Sequence, residues 1–214
     1  MNIETNEEIL NLKSKVNLYC SICDKCCEYR GDIKITPINV LEISKFLKIS
    51  IEEFLEKYTV EAKNEPPEIV IKGVGEKRNC IFNDKENYKC KINKVKPLQC
   101  IVFPLVPVDI NRDLFINSKA CKVDTKKFVT VDKWINGNNK NYNRNKNIYL
   151  KWIELMEEIQ PKWEHFSKEK QTTIKELLFK EYDLKSNFEK QIIENIRKVR
   201  EVIYTKSYLN LYQQ

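Results

Sequence analysis

Glycine is scarce in this chain: only Gly31, Gly73, Gly75 and Gly137 occur in 214 residues. No G-x-G-x-x-G or P-loop can be written from them, so the usual loops that cradle phosphate are missing. Histidine occurs once, as His165 within KWEHFSKEK. Any site for a soft metal must therefore be made almost wholly of thiolate. No stretch approaches the roughly 18 uninterrupted apolar residues of a membrane span. The opening MNIETNEEILNLKSKVNLYC carries early acidic residues and lacks the apolar run of a signal peptide. The expectation is a cytoplasmic protein with no membrane partner.

What is present is a globular composition, 42% hydrophobic and 32% charged. The length suits one domain with a real core, or a domain with an added helical segment. A net charge of +7 invites a nucleic-acid reading. Lysine is spread along the whole chain, however, and no nucleic-acid module is recognisable. A solvated basic surface is the better expectation, and a protein partner or substrate stays open.

Apolar spacing outlines the elements. Residues 1–19 read as a short amphipathic helix presenting Ile9, Leu10, Leu12 and Val16. Asp32–Thr36 alternates like a brief strand. Thr36 then resembles an N-cap with Pro37 at the first helical position, and Ile38, Leu41, Ile43, Phe46 and Leu47 form the buried side. Ser50 with Glu53 makes a capping-box pattern for a second helix over 51–58. Pro66–Pro67 breaks the chain before a strand over Glu68–Lys72. IVFPLVPVDI and LFINSKACKV resemble a hairpin about Asn111–Arg112–Asp113, whose prolines point to an edge. NGNNKNYNRNKN, from Asn136, reads as a polar linker. Helical periodicity follows over 148–160 and 167–206. Trp134, Trp152 and Trp163 suit core packing better than a pocket lining.

The expected architecture is therefore α+β. Residues 1–133 form a small mixed domain with cysteine-rich metal-binding loops. Residues 134–214 form a predominantly helical segment packed on it, or extending toward a partner.

The eight cysteines carry the chemistry. They fall as Cys20-x2-Cys23-x2-Cys26-Cys27, then Cys80-x9-Cys90-x9-Cys100, and finally Cys121. A C-x-x-C spacing turns two thiolates toward one point, and its repetition gives three converging sulfurs in seven residues. Buried structural cysteines do not explain four in eight residues. Disulfides would need an oxidising compartment, which the N-terminus gives no reason to assume. All eight are candidate metal ligands. The run C-x2-C-x2-C with a remote cysteine favours an iron–sulfur cluster of the [4Fe–4S] type. Thiolate-bound zinc is the alternative. Adjacent side chains diverge, so Cys26 and Cys27 are expected to face different centres, unless one is a spare thiol. Lys25, Lys89, Lys91, Lys94, Lys96 and Arg30 flank the sulfurs. Such charge would offset that of a thiolate site.

These residues resemble the YkgJ-type cysteine-cluster family, a zinc- or iron-chelating CxxCxxCC domain whose relatives include flagellin lysine-N-methylase. The likeness is carried by CSICDKCC (20–27), by DIKITPINVLEISKFLKISIEEFLEKY (32–58) and by CIFNDKENYKCKINKVKPLQCIVFPL (80–105). Three positions depart from the usual pattern: Lys96 for an arginine before proline, Ile101 for a basic residue, and Asn39 for an acidic one. The resemblance implies metal or cluster binding, and in some relatives methyl transfer to protein lysine. No S-adenosylmethionine loop is legible in 134–214. A zinc-stabilised binding module is the remaining alternative.

Overall fold

The computed structural model describes residues 8–18, 25–28, 33–63, 65–87, 89–118, 128–138 and 142–205. The first strands and helices are β1 (Lys15–Val16), β2 (Lys34–Ile35), α1 (Pro37–Leu47) and α2 (Ile51–Tyr58). Short strands dominate the middle: β3 (Thr59–Glu61), β4 (Ile69–Ile71), β5 (Gly73–Val74), β6 (Asn79–Cys80), β7 (Asn83–Asp84) and β8 (Lys89–Cys90). Then come α3 (Leu98–Val102), the hairpin β9 (Leu105–Asp109) and β10 (Leu114–Asn117), and β11 (Val129–Thr130). Helices α4 (Val131–Asn138), α5 (Tyr142–Ile159), α6 (Lys168–Phe179) and α7 (Phe188–Tyr204) complete the described chain. The fold is α+β, helices beside small antiparallel sheets. Among the described residues no helix is long and apolar enough to cross a membrane.

The start of the chain corrects the sequence reading. Leu10, Val16 and Leu18 are buried, whereas Ile9 is 58% exposed. Burial every second residue is the period of a strand, not a helix. Leu10 accordingly bridges Phe115, and β1 pairs antiparallel with β11. The helix expected over 1–19 is absent from its described part, because distant strands offer the backbone its hydrogen bonds. With Ile101, Val102, Leu105, Val131 and Ile135 these residues form one of two apolar clusters.

The larger cluster is built around α1, where Pro37 through Ser44 are all buried. Phe46, expected on the buried side, is instead 40% exposed. The helix starts as Thr36-Pro37 suggests. Asn39 Oδ1 accepts from the Thr36 backbone N–H at 3.0 Å and from its hydroxyl at 3.2 Å. Asn39→Ala is expected to cost about 1–2 kcal/mol, since it orphans buried donors at a helix start. A lower urea midpoint at unchanged slope would show it. At α2, Ser50 Oγ accepts from Glu53 N–H at 3.1 Å. Glu53 turns its carboxylate to Lys57 at 2.7 Å, so the expected box is half made.

β4 is the centre of a three-stranded antiparallel sheet, β2-β4-β3. Against α1, α2 and this sheet pack Trp152 and Leu155 of α5, Leu177 of α6, and Ile192 and Val199 of α7. The expected hairpin is present, but Ile101 and Val102 belong to α3 and the strand begins at Leu105. The expected polar linker is mostly helix: α4 ends at Asn138, and α5 begins at Tyr142 with Tyr142 and Asn145 buried. The helical stretch expected over 167–206 is broken after Phe179 and restarts where Asn187 Oδ1 accepts from Lys190 N–H at 2.9 Å.

The α5–α7 contact includes an ion pair, Arg200 to Glu158 at 2.7 Å. Burial would raise the Glu158 carboxyl, but hydrogen bonds from Arg200 and Tyr204 outweigh it and hold the group below its ordinary 4.5. A depressed carboxylate contributes stability that is present above its unfolded value and lost as pH falls through its folded one. Acid titration of unfolding should therefore be shallower below about pH 4.5 in Glu158→Gln than in the parent chain.

Candidate metal centre

Cysteines from separate segments come together, Cys27 meeting both its neighbour Cys26 and the distant Cys80. Cys26 and Cys27 sit on a 3-10 turn, Lys25–Cys27. Cys80 ends β6, opposite Gly73 of β5, and Cys90 ends β8, opposite Asn83 of β7. The two ladders are tied to the rest of the chain by Ile81 N–H to Lys72 C=O at 3.1 Å and Lys91 N–H to Phe82 C=O at 2.9 Å. Short strands joined by turns suit this purpose, since each ladder fixes a cysteine beside a bend.

The Cys27 thiol interacts with both Cys26 and Cys80 through hydrogen bonds. The Cys26 and Cys27 sulfurs are 4.0 Å apart. Adjacent residues were expected to diverge, and in burial they do, Cys26 being exposed and Cys27 buried. Their sulfurs nevertheless stay close, because the tight turn brings the side chains back together. Cys90 is half-buried and interacts electrostatically with Cys80 and Cys26. Cys100 lies on α3 and packs against the same apolar cluster as Cys27, Cys80 and Cys90. All five carry thiols rather than disulfides. Cys20, Cys23 and Cys121 lie outside the described residues.

Mutual hydrogen bonding and burial dominate the electrostatics of these thiols. The Cys27 thiol is pushed far up by hydrogen bonds from Cys26 and Cys80, and by burial. Burial raises Cys90 to about 11, opposed by the Ile92 backbone N–H and by the Lys96 charge. Of the flanking lysines expected to matter, Lys96 thus acts on a sulfur, and Lys91 acts on Asp84. His165 is exposed at the end of the 3-10 turn after α5.

Phe82 stacks on Tyr58 at 5.0 Å, and Tyr58 on Phe54 at 5.9 Å. This ladder of rings joins α2 to the turn between Cys80 and Cys90. Sequence reading missed it, although C-I-F directly after a candidate ligand is a visible signal. Trp152 and Trp163 are core residues, as expected; Trp134 is half-buried and donates from Nε1 to the Phe103 carbonyl at 3.1 Å.

An all-sulfur donor set, largely buried and drawn from two distant segments, fits zinc or iron. Among the described residues no group of three His, Cys, Asp or Glu side chains encloses a point where an ion would sit.

A family model described as "Putative zinc- or iron-chelating domain", CxxCxxCC, matches residues 19–135. The chain belongs to this CxxCxxCC family. The matched span begins beside the first cysteine group and includes Cys80, Cys90, Cys100 and Cys121, so it holds every candidate ligand. The chain is also similar to an uncharacterized protein of Methanocaldococcus jannaschii, 36% identical over 101 residues. That stretch covers 44% of this chain and 52% of the relative, about half its length. No solved structure matches.

Proposed function

We propose that this CxxCxxCC protein holds a metal centre on its cysteine thiolates. Cys26, Cys27, Cys80 and Cys90 supply described ligands, and Cys20, Cys23, Cys100 and Cys121 are further candidates. The observation that supports it most is the meeting of the Cys27 and Cys80 thiols across two distant segments. Uncharged thiols crowded in this way gain little from one another, whereas a cation between them converts mutual repulsion of thiolates into shared attraction.

Two forms of the centre have an observation behind them. The C-x2-C-x2-C run favours an iron–sulfur cluster. The 4.0 Å separation of Cys26 and Cys27 is compatible with one zinc ion, whose sulfurs at about 2.3 Å from a tetrahedral centre stand roughly 3.8 Å apart. Thiolates on the separate irons of a [4Fe–4S] cluster stand farther from each other. Either group would supply folding free energy, and the iron–sulfur form would also carry electrons.

Anaerobic purification followed by metal and acid-labile sulfide analysis separates the forms. A colourless protein with bound zinc and no sulfide is the zinc form. A brown protein with iron and sulfide in equal amounts is the cluster. A chain with no metal by either route would refute the proposal.

A further inference from the structure

The net charge of +7 is not evenly distributed along the chain. Residues 72–96 hold eight Lys or Arg against three Asp or Glu, so this short stretch alone carries +5. It folds as two consecutive hairpins, β5–β6 and β7–β8, followed by a 3-10 turn at Asn93–Val95. Lys77, Lys85, Lys89, Lys91 and Lys94 are all exposed. Among the described residues none of these five is in an ion pair, whereas ion pairs elsewhere hold Lys34, Lys57, Arg112, Lys146 and Arg200. Asp84 stands opposite Lys89 in the β7–β8 ladder, but its carboxylate serves its own turn. It accepts from Asn87 Nδ2 at 2.9 Å and from the backbone N–H groups of Glu86 and Asn87.

Like charges gathered without counter-charge repel one another, and together they project a field that collects anions. Offsetting a thiolate centre accounts for Lys96, whose charge acts on Cys90. It does not account for Lys77 and Lys85, which sit exposed in the turns of the two hairpins.

We propose that the face made by the two hairpins and the Asn93–Val95 turn docks an acidic segment of another protein. Val74, 40% exposed on β5, supplies an apolar spot within a charged rim, which is the usual anatomy of a protein interface. Nucleic acid suits the face less well. Seven of the eight cations are lysines, which lack the planar fork that arginine offers to phosphate and guanine. Phe82 is 2% exposed and offers no ring on which a base could stack. Lysine is a strongly hydrated point charge, so the encounter is steered by charge and sensitive to salt.

The test is fluorescence anisotropy of a labelled deca-glutamate peptide with the full chain, at low salt and at about 150 mM, where the Debye length shrinks to ~8 Å. The parent chain should bind at low salt and lose most of that binding at the higher salt. Lys77→Glu, Lys85→Glu and Lys94→Glu combined, none adjoining a cysteine, should weaken low-salt binding about ten-fold or more. Lys133→Glu, Lys151→Glu and Lys185→Glu combined change the net charge equally at exposed positions elsewhere. This second triple should weaken binding less than about two-fold. Equal losses in the two triples would overturn the docking face, as would no binding by the parent chain at low salt. A single-stranded DNA of ten nucleotides is the comparison ligand. Weaker binding than the peptide supports a protein partner; equal or tighter binding overturns it in favour of nucleic acid. Should charge reversal unfold the chain, Lys77→Gln, Lys85→Gln and Lys94→Gln combined answer instead, with a loss again expected beyond that of the same change at 133, 151 and 185.

Discussion

Cys80→Ala is expected to lose bound metal and stability together, with the loss of stability confined to the metal-loaded state. Cys80 is buried at the end of β6 and is the thiol that links the Cys26–Cys27 turn to the central strands. Structural zinc contributes about 10–16 kcal/mol of apparent binding free energy in small thiolate sites. This compares with the roughly 5–15 kcal/mol that holds an ordinary domain folded. Removing one ligand therefore acts on a free energy as large as the whole stability. The loaded parent should unfold at a much higher denaturant concentration than the loaded variant, and bound metal should fall several-fold. After chelation the two should differ by only about 1 kcal/mol, the cost of deleting one small buried group. An equal difference with and without metal would mean that Cys80 is a packing residue only.

The cysteine pattern and the family of this chain were legible because cysteine spacing is a local signal. C-x-x-C repeated before a third sulfur needs no tertiary information to be recognised, and the family match covers the same residues. Helices α1 and α2 were legible for a similar reason. Thr36-Pro37 and Ser50-x-x-Glu53 mark their starts in adjacent residues, and α2 spans the expected 51–58.

The misread segments are those whose structure is decided from far away. Leu10, Leu12, Val16 and Leu18 fit a helical face loosely, yet all stand at even positions, and pairing with Phe115 and β11 selects the strand. NGNNKNYNRNKN looked solvated because it is polar. Its Tyr142 hydroxyl in fact donates to Asp113 at 2.7 Å, and Asn145 is buried beside Glu42. Polar composition excludes a segment from the core only when no buried partner awaits it, and the partner is more than one element away. Cys26 and Cys27 diverge in burial as expected, one exposed and the other buried, while their sulfurs stay 4.0 Å apart. Divergence on an ideal helix or strand is a rule about regular backbone, and the pair lies on a tight turn.

Arg144→Ala is expected to destabilise the fold by about 3–5 kcal/mol, more than the loss of its partner does. Glu42 stands in the middle of α1 with its side chain 6% exposed, while the paired Arg144 on α5 is 39% exposed. The two carry unequal consequences when separated. Without Glu42, the long Arg144 side chain swings its charge into water at little expense. Without Arg144, the Glu42 carboxylate remains inside, held among the described residues by an Asn145 Nδ2 contact at 3.5 Å. An unpaired buried charge is among the costlier defects a fold can carry. Glu42→Leu should therefore be the milder single change, and Glu42→Leu added to Arg144→Ala should recover most of the stability that Arg144→Ala loses. The measurement is a double-mutant cycle by urea unfolding of all four chains. Because neither member of the pair is a candidate ligand, metal content should stay at the parent level in every folded variant. If Arg144→Ala and Glu42→Leu cost the same, the asymmetry of burial is not what governs this contact.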